Sequence, residues 1–275
     1  MNIFIGTLGT ICFLLLAACI VLNMSVALVF VFRKNENKKA DYFFALLLFV
    51  FSLTCLHHIF ILENIYQQRP EWLFVPVYFT LSLGMALFYS VKLRLFPAYR
   101  FVPSDIKHFI LPVGQFLYFL ILFLFTSISF REGLGRKFYS PFYGGLEMAI
   151  YIGTFYMYLF AAYRYTRFKI SALRKKKESG RPLYEAFVLR RMLRVMLILF
   201  WINSAYIVAD FAMYELLGLS MHNFRGFTRF GDLSFAAMAG WAGLTGLQLL
   251  VRLPYFNSSK IVFSLLKKAL KYKGK

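Results

Sequence analysis

The sequence predicts an all-α integral membrane protein, a bundle of seven transmembrane helices with its N-terminus outside and its C-terminus in the cytoplasm. Of the 275 residues, 60% are hydrophobic and only 16% are charged, whereas an ordinary soluble domain carries about 25% charged residues. Nearly uncharged runs of about 18 or more residues are typical of membrane-spanning helices. The chain holds seven such runs, at about 3–32, 42–62, 72–91, 108–128, 144–163, 195–217 and 233–251.

The orientation follows from the 32 lysines and arginines, all of which lie between or beyond the seven runs. Taken alternately from the N-terminus, the connecting stretches hold 26 and 6 of them. Basic residues are retained on the cytoplasmic side of a membrane. The richer set is therefore predicted to be cytoplasmic, and it consists of 33–41, 92–107, 164–194 and 252–275. This distribution of the +20 net charge indicates contact with anionic lipid rather than with nucleic acid.

The first run is expected to stay in the protein as helix one, although Leu16-Ala17-Ala18-Cys19 resembles a lipoprotein cleavage site. A signal peptide opens with a positively charged region and stops being apolar near its cleavage point. Here no basic residue precedes Arg33, and the apolar run continues through Phe32. We therefore assign residues 1–257 to one seven-helix domain.

Helices three, four and seven have features that predict their packing. Pro76 and Gly84 in helix three and Pro112 in helix four indicate local kinks, which neighbouring helices can tolerate. Small residues recur every four positions in helix seven and allow close approach of backbones. They indicate tight packing inside one bundle, with a homodimer through helix seven as the alternative. The pairs are Ala236 and Gly240, Ala239 and Gly243, and Ala242 and Gly246.

The connection 164–194 and the tail 258–275 form the predicted cytoplasmic surface. The turn signal Ser179-Gly180-Arg181-Pro182 follows a run of four basic residues. In the tail, apolar residues fall on one helical face and lysines on the other, which predicts a short amphipathic basic helix along the inner membrane surface. Anionic lipid or a cytoplasmic signalling partner is expected to contact Arg174, Lys175, Lys176, Lys177, Lys267 and Lys268.

Polar residues inside a bilayer are costly and mark candidate functional sites. At 1.5 Å per residue, His57 and Asp210 both lie about 24 Å from the cytoplasmic ends of their helices, near the outer face. We therefore predict one outward-opening pocket, in which Asp210 pairs with one of two adjacent histidines. The alternative is a structural hydrogen bond, or side chains that reach the outer interface separately. The candidate ligand-binding residues are His57, His58, Glu147, Asn203 and Asp210.

The sequence favours neither a metal site, nor a cofactor, nor an enzyme. Adjacent histidines on a helix point about 100° apart, and no spaced metal-ligand motif accompanies His57 and His58. The chain has no GxSxG elbow and no phosphate-binding loop. Helix seven has no lysine between Asp232 and Arg252, so it cannot form a Schiff base with retinal.

Three stretches together resemble a known group of proteins: "KKADYFFALLLFVFSL" entering helix two, "PVYFTLSLGMALFYSVKLRL" in helix three and "IKHFILPVGQFLYFL" opening helix four. The chain resembles the seven-helix N-terminal membrane half of bacterial regulators with an AraC-type helix-turn-helix domain on the cytoplasmic side. The resemblance implies a sensor-like bundle in a bacterial cytoplasmic membrane.

The chain departs from that family pattern at three places. Gly84-Met85 stands where the family has Gly-Pro, and the stretch from His108 to Pro112 holds one extra residue. The chain also ends after "RLPYF" and a short tail, where the family continues into its DNA-binding domain. Direct binding to nucleic acid is therefore not expected, and a separate partner would carry the output.

These observations predict a non-enzymatic sensor or receptor-like protein that relays an extracytoplasmic small-ligand or proton signal to a cytoplasmic partner. A small membrane transporter or channel, which would use the same polar groups as its pathway, is the alternative. A membrane scaffold subunit of a larger complex is a third interpretation.

Overall fold

The computed structural model describes residues 2–34, 37–138, 141–177, 180–217 and 225–251. Within these ranges the chain forms helices and their connections, with no strand. Two single turns of 3-10 helix lie at Pro70–Trp72 and Pro103–Asp105. The α-helices are α1 (Asn2–Phe32), α2 (Lys38–Leu62), α3 (Ile65–Gln68), α4 (Thr80–Leu95), α5 (Lys107–Phe125), α6 (Ile128–Phe138), α7 (Pro141–Lys175), α8 (Arg181–Leu217) and α9 (Arg225–Val251).

Six of these helices are long and apolar enough to cross a membrane. The prediction of an all-helical, multi-pass membrane protein is therefore confirmed, with six such helices among the described residues where the sequence predicts seven. The spanning stretches are Thr7–Phe32, Lys38–Leu62, Lys107–Phe125, Gly145–Lys175, Pro182–Met213 and Phe227–Val251.

The third predicted helix, 72–91, differs most from the structure. Helix α4 begins only at Thr80 and has 16 residues, which span about 24 Å against a hydrocarbon core of about 30 Å. Pro76 has no backbone N–H to donate, and its ring disfavours helical geometry at the preceding residue. The segment 73–79 is therefore not helical, and α4 continues instead through Leu95. It takes in Lys92 and Arg94, which the sequence places in a loop.

Helices α1, α2, α4, α7, α8 and α9 form a closed ring in which each packs against the next and α9 packs against α1. Every residue of α4 except Leu81 is buried, so α4 is the most enclosed helix of the ring. Helix α5 lies outside the ring against α4. Its apolar side chains are mostly exposed, as expected for a helix that faces lipid.

The two ends of the ring have different chemistry. We call one end the basic end, because Arg33 at the end of α1 and Arg94 at the end of α4 meet there. We call the other the histidine end, because it holds His57 and His58 near the end of α2. Between them, the interior is filled by large apolar side chains such as Phe51, Leu83 and Phe200.

The small residues of α9 pack inside this chain, as the first of the two interpretations predicts. A methyl group at Gly240 would lie 3.4 Å from Cys19 Sγ, and one at Gly243 would lie 2.6 Å from Asn23 Oδ1. One at Gly246 would lie 2.7 Å from a methyl group of Val26. These partners all belong to α1, so the face is already occupied; a homodimer through helix seven stays a prediction.

Helices α7 and α8 extend well beyond the predicted runs 144–163 and 195–217. Only residues 176–180 connect them, so most of the predicted 164–194 connection is helical. Leu173 and Leu189 are buried in the α7–α8 seam, which makes this end a helical hairpin. Its tip carries Arg174, Lys175, Lys176 and Lys177, all exposed. The predicted tail helix 258–275, with Lys267 and Lys268, lies outside the described residues.

Candidate functional site

Three of the five candidate residues, His58, Asn203 and Glu147, belong to two neighbouring polar groups near the histidine end. The first, which we call the His58 cluster, consists of His58, Asn203, Arg229, Asp232 and Ser234. The second, the Glu147 cluster, consists of Tyr78, Thr80, Gln115, Glu147 and Tyr151. His57 lies between them, with its ring 6.2 Å from that of His58 and 4.7 Å from that of Tyr78.

The centre of the His58 cluster is a histidine–carboxylate contact that joins α2 to α9. His58 Nδ1 lies 2.9 Å from Asp232 Oδ1, and Arg229 donates to Asp232 Oδ2 over 3.4 Å. The His58 ring stacks on Phe235 with 4.9 Å between ring centres. Asp232 is buried, and its contact with His58 joins two separate helices.

Asn203 joins α8 to the same cluster. Its Nδ2 donates to Ser234 Oγ over 2.9 Å, and Ser234 Oγ in turn donates to the Gly231 carbonyl over 2.8 Å. Asn203 is buried, and its Oδ1 has no hydrogen-bond partner in the described part of the chain. Such an orphaned acceptor marks a place where a water molecule or a ligand donor fits.

His57 is held by aromatic residues of the connection that follows α2. Its Nδ1 lies 2.8 Å from the Tyr66 hydroxyl oxygen. Tyr66 and Tyr78 flank its ring, at 5.6 and 4.7 Å between ring centres. Burial of the Tyr66 hydroxyl raises its pKa, so Tyr66 stays neutral. His57 therefore anchors the connection 63–79 to the ring.

The Glu147 cluster surrounds the start of α4. The backbone N–H of Leu81 donates to Gln115 Oε1 over 3.1 Å, which satisfies one of the free donors of a helix N-terminus. Because an N–H can only donate, this bond orients the amide of Gln115. Its Nε2 then faces Thr80 Oγ1 at 3.5 Å and also donates to Glu147 Oε1.

The Nδ1 atoms of the two histidines have other partners than the predicted Asp210. Asp232 contacts His58 and Tyr66 contacts His57, whereas Asp210 is half-buried on α8 within electrostatic range of Tyr206. In the ring, α2 packs against α1, α4 and α9, whereas α8 packs mainly against α7 and α9. Equal depth in the membrane therefore does not make Asp210 and the histidines neighbours.

The basic end holds a charge cluster that sequence reasoning missed. Asp41 is 1% exposed and accepts hydrogen bonds from Arg33 Nε at 2.7 Å and Arg94 Nη2 at 2.6 Å. The Arg94 guanidinium also lies over the rings of Phe30 and Phe44. This cluster ties α1, α2 and α4 together. The signal available in the sequence was an acid, Asp41, two residues after Lys39 at the end of a stretch, 33–41, that holds four basic residues.

A second acid at the basic end, Asp105, neutralises Lys92. Burial opposes ionisation of Asp105. However, hydrogen bonds from the backbone N–H of Val102 and the hydroxyls of Tyr99 and Tyr89, with the charge of Lys92, outweigh it and lower the pKa to about 2. Lys92 Nζ lies 3.9 Å from Asp105 Oδ1 and 3.6 Å from the centre of the Tyr99 ring. Lys92 is thereby stabilised inside α4.

No group of three or more histidine, cysteine, aspartate or glutamate side chains lies close enough to hold a metal ion within the ranges given above. Comparisons with known protein families, with curated proteins and with solved structures found no match. The resemblance to AraC-type membrane regulators therefore stays a prediction.

Proposed function

We propose that this chain is a non-enzymatic seven-helix sensor of a bacterial cytoplasmic membrane, with its N-terminus outside and its basic end in the cytoplasm. A small ligand or a proton would bind among the His58 and Glu147 clusters. The α7–α8 hairpin would pass the resulting change to a cytoplasmic partner.

In this proposal α4 is the third of seven membrane crossings, together with the segment 73–79 that precedes it. Irregular backbone is tolerated at membrane depth where it is buried in protein. Leu73, Phe74 and Val77 are buried, and Arg131 Nη1 donates to the carbonyls of Glu71 and Leu73 at 2.9 and 3.2 Å. These contacts support a crossing that is helical over only part of its length.

The observation that carries the proposal is the His58–Asp232 contact between α2 and α9. A histidine beside a carboxylate can gain or lose a charge near neutral pH, and this one joins two helices of a closed ring. Protonation or ligand binding there would change how strongly α2 and α9 hold each other. Such a bias on a packed interface is the elementary step of a conformational switch.

The interior between the two ends favours sensing over transport. Phe155 and Phe200 meet with 4.1 Å between ring centres, and Leu83, Leu87 and Phe51 are fully buried in the same hydrophobic core. At the basic end, Asp41 is closed off by two arginines. A transport pathway would need a continuous line of polar groups through this apolar layer.

The α7–α8 hairpin supports the output side of the proposal. Helix α7 has 35 residues and α8 has 37, so each is more than 50 Å long at about 1.5 Å per residue. That length exceeds the hydrocarbon thickness of about 30 Å. The two helices would therefore carry the exposed basic run 174–177 clear of the membrane, and a tilt of either helix would move this tip.

A distance measurement in nanodiscs tests the proposal. Spin labels go on Lys176→Cys at the hairpin tip and Arg100→Cys in the connection between α4 and α5, both exposed, with the three native cysteines replaced. We expect the label-to-label distance to change when the pH falls from about 8 to about 5, the range in which histidines titrate. Asp232→Asn and His58→Gln should each abolish this change.

His108→Gln is the matched control. His108 is a histidine at the basic end, with its Nδ1 2.8 Å from the Tyr158 hydroxyl, and its replacement should leave the distance change intact. A distance that is constant with pH in the parent protein, or a change that survives Asp232→Asn, would contradict a sensor built on this contact. Solute flux into liposomes that requires Asp232 would support the transporter instead.

A further inference from the structure

We propose that Glu147 is a proton-binding site in the outer half of the bundle, and that its protonated carboxyl group donates a hydrogen bond to the hydroxyl of Tyr151. This inference deepens the proposed function by naming the sensed species. It rests on that function only for the access of protons from outside.

The first step is the absence of a counter-charge. Among the described residues, Gln115 from α5 donates to Glu147 and Tyr78 from the connection before α4 lies within electrostatic range of it, while Tyr151 follows it by four residues on α7. All are uncharged at neutral pH. In the described part of the chain, no lysine, arginine or histidine forms an ion pair with Glu147. An ionised acid within a bilayer costs about 2.5 kcal/mol or more, so binding a proton relieves this cost.

The cations and acids of the neighbouring elements are engaged elsewhere. Arg131 of α6 donates to the backbone carbonyls of Glu71 and Leu73. His57 of α2 lies beyond Tyr78 and binds Tyr66. The apolar ring of Phe211 from α8 lies against Gly145, which is in the same turn of α7 as Glu147.

The second step is a hydroxyl group that has no partner. Tyr151 is 4% exposed, and its Oη has no hydrogen-bond partner among the residues that the structure describes. It follows Glu147 by four residues on α7, which puts the two side chains on the same helical face one turn apart. Tyr78 lies within electrostatic range of both. A buried hydroxyl beside an acid can accept its proton in a hydrogen bond.

The proton balance of the step is simple. The carboxylate of Glu147 takes one proton from the outer solution and becomes a neutral carboxylic acid. The oxygen Oε1 continues to accept from Gln115, while the new O–H donates to Tyr151 Oη and Tyr151 keeps its own proton. One uncompensated charge and one orphaned oxygen are removed together.

The orientation of Gln115 favours a proton over a metal cation. Because the Leu81 N–H holds Gln115 Oε1, the Nε2 group presents its hydrogens to Thr80 Oγ1 and Glu147 Oε1. Amide hydrogens repel a metal ion, and a metal site needs several oxygen ligands with free lone pairs. A proton needs only one.

Infrared difference spectroscopy of the protein in nanodiscs tests the proposal, because a protonated carboxylic acid has its own carbonyl band. We expect a band that grows as the pH falls and is missing in Glu147→Gln. Glu147→Asp retains an acid, so it should shift this band rather than delete it. If Glu147→Gln fails to fold, the shifted band of Glu147→Asp still assigns the signal to this residue.

Tyr151→Phe tests the predicted acceptor. Loss of one ordinary hydrogen bond should weaken proton binding at Glu147 by roughly threefold to tenfold, read as a lower midpoint pH of the band. The matched control is Tyr156→Phe on the same helix, whose hydroxyl lies 2.9 Å from Ser204 Oγ, outside the Glu147 cluster. This control should leave the midpoint unchanged.

Three outcomes would overturn the proton site: no titrating band in the parent protein, a band that survives Glu147→Gln, or a band displaced at constant pH by exchanging sodium for choline. The last would identify a metal cation at the site. A titrating band with a constant label-to-label distance would support the proton site while removing the sensor function, so the two failures are distinguishable.

Discussion

At the scale of single residues, the buried acids of the basic end are each surrounded by hydrogen-bond donors. Asp41 accepts from two arginines, and Asp105 accepts from two tyrosines and a backbone N–H. Removing one partner of a buried ion pair leaves an uncompensated charge. This usually lowers the free energy of unfolding by about 3–5 kcal/mol, out of a typical total of about 5–15 kcal/mol. The pairing explains why Lys92 and Arg94 can lie within α4.

Asp105 carries a pH-dependent share of the stability. Its pKa is lowered from 3.8 to about 2 in the folded protein, so its contribution is complete above about pH 4 and is lost as the pH falls toward 2. We expect Asp105→Asn to destabilise the protein at neutral pH by about 1.5–3 kcal/mol, the value of hydrogen bonds to a charged group. Thermal unfolding in detergent as a function of pH measures this.

The parent protein and Asp105→Asn should approach each other in stability between about pH 4 and pH 2. Glu71→Gln is a matched control, because Glu71 forms an exposed pair with Arg69 at 3.6 Å and such pairs contribute less than about 1 kcal/mol. A gap between parent and Asp105→Asn that stays constant down to pH 2 would contradict the argument.

At the scale of elements, close packing decides which helices adjoin. The face of α9 that carries Gly243 and Gly246 contacts α1 at distances that leave no room for a side chain. Transmembrane helices have little hydrophobic drive to associate, so such backbone contact supplies much of their attraction. The small residues thereby bring the start of α9 against the end of α2, where Asp232 meets His58.

Gly243→Ala tests this packing. The added methyl group would lie 2.6 Å from Asn23 Oδ1 and 2.9 Å from Leu22, so we expect a loss of about 1–3 kcal/mol, typical of overpacking. Gly153→Ala is the control, because nothing lies within 4 Å of its new methyl group and alanine favours helix by up to about 1 kcal/mol. Unfolding in detergent should separate the two, and equal stabilities would refute the assigned α1–α9 contact.

At the scale of the whole molecule, charge distribution and fold make one joint prediction. The basic end gathers Arg33, Lys92, Arg94 and the α7–α8 hairpin, and basic residues resist translocation. The predicted cytoplasmic side therefore coincides with one physical end of the ring.

Reporter fusions test the topology. Fusions after Lys177 and Lys275 should report the cytoplasm, and fusions after Arg69 and Arg136 the outside. The fusions after Arg69 and Arg136 together decide whether 73–95 crosses the membrane. If 73–95 and α5 both cross, the two fusions report the same side. If only α5 crosses, they report opposite sides. An external signal at Lys177 would reverse the orientation and remove the proposed sensor.

The amino-acid sequence by itself determined six helices of this protein that are long and apolar enough to cross a membrane. A run of about 20 apolar residues can be solvated only by lipid or by other such runs, so composition is enough to place helices such as α1 and α9. It also determined which residues lie at comparable depth, because depth follows from counting along a helix. His58 and Asn203 contact Asp232 and Ser234 of α9, and Tyr206 lies within electrostatic range of both Asp232 and Asp210.

Only the tertiary structure decided which of these residues meet. Depth is a property of one helix, whereas contact depends on the order of helices around the ring, and no local pattern encodes that order. Asp232, at the edge of a predicted loop, therefore takes the place at His58 that counting assigned to Asp210. Other helices also support the late start of α4, which Pro76 favours. Gln115 accepts from the Leu81 N–H in its first turn, and Arg131 donates to the carbonyls of Glu71 and Leu73 before it.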